Sequence, residues 1–171
     1  ELIKALIGKR GPECDLNDVD VSNVGDMSRM FDRTNFDGDI SGWDVSNVSD
    51  MSRMFRNSAF TGDISKWDVR NVEDMQSMFY ESAFDGNLSK WNVSNVKNMC
   101  SMFITSNFTG ENGGISGWDV SKVEYMGHMF YWSKLFDGNL SKWKVSKVTD
   151  MSHMFEGSDF TAENGSISGW D

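Results

Sequence analysis

The chain has 171 residues, with 26 acidic and 16 basic side chains and a formal net charge of -10 at pH 7. This length is sufficient to bury one sizeable core. Apart from the adjacent Lys9 and Arg10, the basic residues are scattered singly, which argues against a nucleic-acid partner, because phosphate backbones require a concentrated basic face. No apolar run approaches the roughly 20 residues that cross a bilayer, so we expect no membrane span.

The first fifteen residues lie outside any repeat. The segment ELIKALIGKR places four apolar residues at helical spacing, and the pair Gly11-Pro12 ends the predicted helix. The end of a stack of repeats would expose apolar side chains unless another element covered it. We therefore interpret residues 1–15 as an N-terminal capping segment.

A repeat occupies residues 16–171. The pattern I-S-x-W-x-V-S-x-V-x-x-M-x-x-M-F-x-x-S-x-F-x-G-D recurs every 24 to 27 residues, in six full copies and the start of a seventh. The copies begin at Leu16, Ile40, Ile64, Leu88, Ile115, Leu140 and Ile167. All 12 Met and 12 Phe residues keep their repeat positions, and among the 7 Trp residues only Trp132 departs from its position. Such strict placement predicts that each residue type fills a fixed slot in a stack.

The first half of each copy predicts a strand. From Ile40, apolar residues recur at steps of three, two and three, as in the first part of the leucine-rich repeat signature. The step of two is typical of a strand, in which Trp43 and Val45 point inward and Asp44 points outward.

The second half of each copy predicts a short helical turn. Val48, Met51, Met54 and Phe55 have the spacing of one buried helical face, and the Asp50 carboxylate can cap the turn. The sequence therefore predicts an α/β solenoid, a leucine-rich-repeat-like, right-handed coil stack. Each repeat of 24–27 residues contributes one short parallel strand and one short helical turn.

The quoted repeats resemble a known family. WDVSNVSDMSRMFRNSAFTGDIS and WKVSKVTDMSHMFEGSDFTAENGSIS are similar to the bacterial surface protein repeat of about 26 residues, found in BspA-like leucine-rich repeat surface proteins and lipoproteins. The resemblance extends from Leu16 to Asp171. It implies adhesion and binding at a cell surface, without indicating one ligand.

Outward positions of successive copies predict a binding surface, because equivalent residues of neighbouring parallel strands lie about 4.7–4.9 Å apart. Two adjacent columns carry most of its charge. The first contains Asp20, Asp44, Asp68, Asn92, Asp119 and Lys144, and the second contains Lys66, Lys90 and Lys142. Solenoids bind partners through their concave side, so we expect these columns to bind a protein or a glycan. The alternative is a solvated face without a ligand.

Other kinds of site receive less support. His128 and His153 share one repeat position, but two histidines hold zinc only with further ligands, so we expect no metal site and no cofactor. Both His residues and nearly all Ser residues belong to repeat positions, which argues against an enzyme. A carbohydrate-active enzyme that uses two Asp carboxylates and a structural spacer remain alternatives. Tyr80, Tyr131 and Trp132 are candidates for exposed aromatic contacts.

These observations predict a non-enzymatic binding module, either secreted or at the cell surface. The seventh copy stops about five residues after it starts. This indicates a fragment of a longer protein, or an uncapped C-terminal coil that associates end to end with a second copy of the chain. Cys14 and Cys100 lie about three coils apart, roughly 14 Å, which is too far for a disulfide.

Overall fold

The computed structural model describes residues 2–111, 114–161, 167 and 169–170. Helix α1 spans Leu2–Arg10, as the spacing predicts. The Gly11 amide donates to the Ile7 carbonyl at 2.8 Å, and Gly11 has a φ of 96°, a conformation that glycine adopts without strain. Ile3 and Ile7 are buried in the same core as the repeats, so α1 packs directly on them.

Successive copies lie in register on one another. Within the described residues, the β-structure consists of single-residue parallel bridges between equivalent positions. The bridged residues are Asp26, Asp50, Asp74, Asn98, Tyr125 and Asp150. After each bridge, alternate amides donate to the following copy, as Met51 does to the Asp74 carbonyl at 2.9 Å and Arg53 to the Gln76 carbonyl at 2.8 Å. Backbone hydrogen bonds therefore join each copy to the next.

The prediction of an α/β solenoid is wrong, and the predicted strand is its first error. The segment from Ile40 to Val48 contains two consecutive turns. The Trp43 amide donates to the Ile40 carbonyl at 3.2 Å, and the Val48 amide donates to the Val45 carbonyl at 3.0 Å. The apolar residues that lie three apart are the first and last residues of one turn. The apolar pair that lies two apart, Trp43 and Val45, connects the two turns. Two turns thus produce the inward spacing that we assigned to a strand.

The predicted helical turn is the second error. The Met54 amide donates to the Met51 carbonyl at 3.2 Å, but Arg53 between them has a φ of 58°. A positive φ at the third residue of a turn breaks a helix and is typical of a type II turn. Asn57, with a φ of 54°, repeats this geometry four residues later. The segment is a series of turns, and α1 is the only helix in the described part of the chain.

Aromatic columns fill the centre of the stack. The rings of Phe55 and Phe79 lie 5.8 Å apart and within 5° of parallel, and those of Trp43 and Trp67 lie 6.4 Å apart, also within 5°. The Trp67 indole Nε1 donates to the Ile40 carbonyl of the preceding copy at 3.2 Å. Each buried tryptophan therefore contributes both apolar area and a polar contact between copies.

A glycine two residues after the second phenylalanine makes room for that ring. A Cβ atom on Gly62 would lie 2.7 Å from Cε2 of Phe60, and one on Gly38 would lie 2.0 Å from the Cys14 carbonyl oxygen. The sequence places a bend here, and the structure shows the reason for the glycine: a ring or a backbone oxygen occupies the space of a side chain.

Candidate binding surface

The predicted binding residues are at the surface. Asp68 is half-buried and the others are exposed. We call the two columns together the polar face, which comprises Asp20, Asp44, Asp68, Asn92, Asp119, Lys144, Lys66, Lys90 and Lys142. The columns belong to turns rather than to strands. They still recur once per copy, because the copies stack in register.

The carboxylates of the polar face also hold their own backbone. Oδ1 of Asp44 accepts the Ser46 amide at 3.0 Å, and Oδ1 of Asp20 accepts both the Ser22 amide at 3.0 Å and the Ser22 hydroxyl at 2.7 Å. These hydrogen bonds favour the charged form and hold the pKa of Asp20 and of Asp44 below the ordinary value. The recurring Asp-Val-Ser triplet is the sequence signal for this turn, since a strand would leave these hydrogen bonds unformed.

Two open depressions combine groups from neighbouring copies. The first, of about 370 Å³, is lined by Lys66, Asp68 and Arg70 of one copy and by Lys90 and Asn92 of the next. The Arg70 Nε donates to Asp68 Oδ1 at 2.8 Å, and this contact lowers the pKa of Asp68. The depression therefore presents cationic groups beside acceptors that are already oriented.

The second depression repeats this arrangement further along the stack. It has a volume of about 300 Å³ and is lined by Asp119, Lys142 and Lys144. Asp119 Oδ1 accepts the Ser121 amide at 3.1 Å, and hydrogen bonding from Ser121 lowers the pKa of Asp119. The structure thus brings together seven of the nine predicted residues in two clusters, and Asp20 and Asp44 line neither of them.

Other aromatic and apolar side chains are exposed outside the polar face. Trp132 is 51% exposed and Leu135 is 54% exposed, whereas Tyr80 and Tyr131 are half-buried. The signal in the sequence was the single tryptophan outside its repeat position. Trp132 is therefore an exposed aromatic side chain, as its position predicts.

The histidines and cysteines form no larger cluster. The rings of His128 and His153 lie 4.9 Å apart, and His153 Nδ1 contacts Glu156 Oε2. Across the described ranges, no group of three or more His, Cys, Asp or Glu side chains could hold a metal ion. Cys14 and Cys100 are free, as their separation predicts, and burial raises the pKa of the Cys100 thiol. No helix of the described chain is long and apolar enough to cross a bilayer.

The geometry defines a class of protein: a repeat protein whose short copies stack in register, with charged groups arranged in columns outside. The family model described as "Mycoplasma protein of unknown function, DUF285" matches residues 7–112 and 104–171. The chain belongs to this family, which is a BspA-like surface-protein repeat family. No curated protein and no solved structure matches the chain.

Proposed function

We propose that the chain is a non-enzymatic binding segment of a secreted or cell-surface protein, and that it engages a protein or glycan partner through the polar face. The repeat of BspA-like leucine-rich repeat surface proteins supports this proposal at the level of sequence, although the turn-built coil lacks the strand of a leucine-rich repeat. Membership of a surface-protein repeat family supports the location.

The observation that carries the proposal is the depression between Lys66 and Lys90. Its cationic groups and its acceptors come from adjacent copies, so a ligand that fills it contacts two copies at once. Extended surfaces that repeat such contacts are how stacked-repeat proteins bind partners. Each contact is individually weak in water, and several in a row give useful affinity.

The carboxylates favour binding over catalysis. A glycosidase of the usual kind needs one carboxylic acid with a raised pKa as the general acid. Hydrogen bonds lower the pKa of Asp20, Asp44, Asp68 and Asp119. A carbohydrate-active enzyme based on an Asp pair of this face is therefore the weaker alternative.

Substitutions that change the charge but preserve the turns can decide whether the polar face binds a partner or the chain is a structural spacer. Asp44→Asn and Asp68→Asn remove charge but keep the oxygen that accepts the backbone amide, as Asn92 does for the Ser94 amide at 3.1 Å. The experiment measures binding to a panel of immobilised matrix proteins and glycans. The fourfold variant, which adds Lys66→Glu and Lys90→Glu, should no longer bind any member of the panel that binds the wild type.

The control is Lys9→Glu, which makes a similar charge change on α1. If the fourfold variant binds every member of the panel as the wild type does, the polar face is not the docking surface. A spacer would tolerate any polar residue in these columns. Loss of binding with unchanged circular dichroism and melting temperature would support the proposal.

End-to-end association with a second copy is a separate proposal. Phe155 and Phe160 are half-buried, whereas their equivalents Phe79 and Phe84 are fully buried between neighbouring copies. Apolar area of this kind favours a further layer. Sedimentation at increasing concentration tests it: Phe160→Glu should abolish any growth in mass, and a monomer at all concentrations would exclude the association.

A further inference from the structure

The fifth copy departs from the repeat between Phe130 and Phe136. The equivalent span in the second copy, Phe55 to Phe60, is one residue shorter. Three features of this short span bear on its role. They are the backbone of Trp132, the buried hydroxyl of Ser133 and the exposed side chain of Leu135.

The first feature is a tryptophan in the left-handed region. Trp132 has a φ of 51°, and the equivalent position keeps a positive φ in the other copies, with Asn57 at 54°, Glu81 at 49° and Thr105 at 48°, so this conformation belongs to the repeat. The equivalent position of the next copy is Gly157, with a φ of 69°. With half of its surface exposed, Trp132 gains less from burial than the core tryptophans do. The fold alone does not explain why tryptophan occupies this position.

The second feature is a hydroxyl that has lost its donor. In the third copy, Ser82 Oγ accepts the Phe84 amide at 3.3 Å. In the fifth copy the inserted residue moves the equivalent amide along the chain, and Ser133 Oγ is buried without a hydrogen-bond partner among the described residues. The insertion that carries Lys134 and Leu135 therefore destabilises the fold locally.

The neighbours of Trp132 fix the orientation of its ring. A Cβ atom on Gly157 would lie 2.7 Å from the indole Nε1, so the ring lies directly on that glycine. Lys134 Nζ is 5.3 Å from the ring centroid and is itself held by Asp159 Oδ1 at 2.8 Å. The ring of Tyr131 meets the indole at an interplanar angle of 61°. A ring held in this way is preorganised for a ligand.

We propose that Trp132 is the centre of a binding site for a neutral oligosaccharide of hexose or N-acetylhexosamine units. A pyranose has an apolar C–H face that packs on an indole, and hydroxyl groups around its edge that need both donors and acceptors. Lys134 supplies donors beside the ring, and Asp159, which contacts Lys134 Nζ at 2.8 Å, supplies acceptors. The carboxylates and the net charge of -10 disfavour anionic glycans. A buried polar group that an insertion leaves unpartnered is a feature that proteins retain at functional sites.

The site is independent of the polar face, so the two proposals fail separately. Chitohexaose, cellohexaose and maltohexaose serve as probes, with calorimetry to measure affinity and acrylamide quenching of tryptophan fluorescence to locate the contact. Trp132 is far more exposed than the core tryptophans, for example Trp91 at 3%. A bound sugar should therefore protect it from the quencher.

At least one probe should bind the wild type, and Trp132→Ala should weaken that binding by about tenfold or more. Trp132→Gly, which accepts the left-handed backbone without strain, should lose binding equally while remaining folded. Tyr80→Ala, which changes the residue equivalent to Tyr131 two copies earlier, should bind as the wild type does. So should the combined Lys66→Glu and Lys90→Glu variant.

Three results would overturn the inference. They are the absence of binding to all three oligosaccharides, equal binding by the wild type and Trp132→Gly, and quenching that the sugar leaves unchanged. A protein ligand that requires Trp132 while no sugar binds would likewise exclude an oligosaccharide site.

Discussion

The regular copies between residues 40 and 111 and the interrupted fifth copy use tryptophan in opposite ways. Trp91 is 3% exposed and donates its indole N–H to the Ile64 carbonyl at 3.0 Å. Trp132 is 51% exposed and lies on a glycine of the next copy. The same residue type builds the core at one repeat position and a surface feature at another, so position in the coil decides its role.

Replacing each tryptophan by alanine should produce the largest contrast. Trp91→Ala removes a buried ring and one of the two donors to the Ile64 carbonyl, which keeps the Trp67 amide, and this should lower the free energy of unfolding by about 3–5 kcal/mol. Trp132→Ala should lower it by less, about 1–2 kcal/mol, because half of its side chain is already exposed. Urea denaturation followed by circular dichroism measures both. Similar losses for the two variants would contradict the division of roles.

Glycine substitutions should separate the regions next. In Gly62→Ala the new methyl group collides with the ring of Phe60, and we expect a loss of about 1–3 kcal/mol. A Cβ atom on Gly117 of the fifth copy would meet no atom within 4 Å apart from its chain neighbours, so Gly117→Ala should lie within about 0.5 kcal/mol of the wild type. Thermal melting of the two variants measures the difference. An equal change in melting temperature would show that the contact with the Phe60 ring is not its cause.

The ion pairs of the two regions should contribute differently to stability. Arg56 donates to both carboxylate oxygens of Asp32 at 2.8 Å, with side chains 26% and 12% exposed. Lys134 and Asp159 form a more exposed pair, at 49% and 63%. At neutral pH, Arg56→Met should cost about 1–2 kcal/mol. Lys134→Met should cost less than about 0.5 kcal/mol.

The Arg56 contact lowers the pKa of Asp32, so its stabilisation is present above the unfolded value of about 3.9 and is lost as the pH falls through the folded pKa. Denaturation curves at neutral pH and at about pH 3 test this sign. The difference in free energy of unfolding between the wild type and Arg56→Met should be smaller at the acidic pH. A larger difference there would show that the pair does not stabilise the fold through the charge of Asp32.

The smallest contrast concerns the buried serines. Ser82→Ala removes the acceptor of a buried amide and should cost about 1 kcal/mol. Ser133→Ala removes a hydroxyl that has no partner in the described structure, so the free energy of unfolding should stay unchanged or rise slightly. Paired urea titrations give both values. A loss on Ser133→Ala as large as that on Ser82→Ala would mean that the insertion preserves the hydrogen bond.

The sequence predicted which side chains face the core, but not the backbone that places them there. Trp43, Val45 and Met51 are buried as their spacing predicts, because the spacing of apolar residues reports the direction of side chains. Two successive turns and a strand followed by a helical turn produce the same spacing. Two features distinguish the turns from a strand and a helical turn. One is the hydrogen bond between Asp44 and Ser46, which the sequence signals. The other is the positive φ of Arg53, which the sequence does not signal, because arginine has no preference for this conformation.

The candidate sites were predicted to different extents. The columns of the polar face follow from the repeat alone, since register places equivalent residues side by side. Their carboxylates were assigned only to solvent and ligands, although Asp44 also stabilises its own turn. Trp132 was recognisable as the exception to its repeat position. Its contact with Gly157 was not, because that contact depends on how far the insertion displaces the ring.

The alternating amides give the edge of each copy a direction. In the segment that includes Met51 and Arg53, these N–H groups all point toward the following copy and their acceptors all belong to it. One edge of this segment therefore carries donors and the opposite edge carries acceptors. Two identical edges cannot form hydrogen bonds with each other, because both carry donors or both carry acceptors. Backbone hydrogen bonding through this segment therefore excludes a two-fold symmetric dimer. Any joining through it must be heterologous, in the manner of a filament.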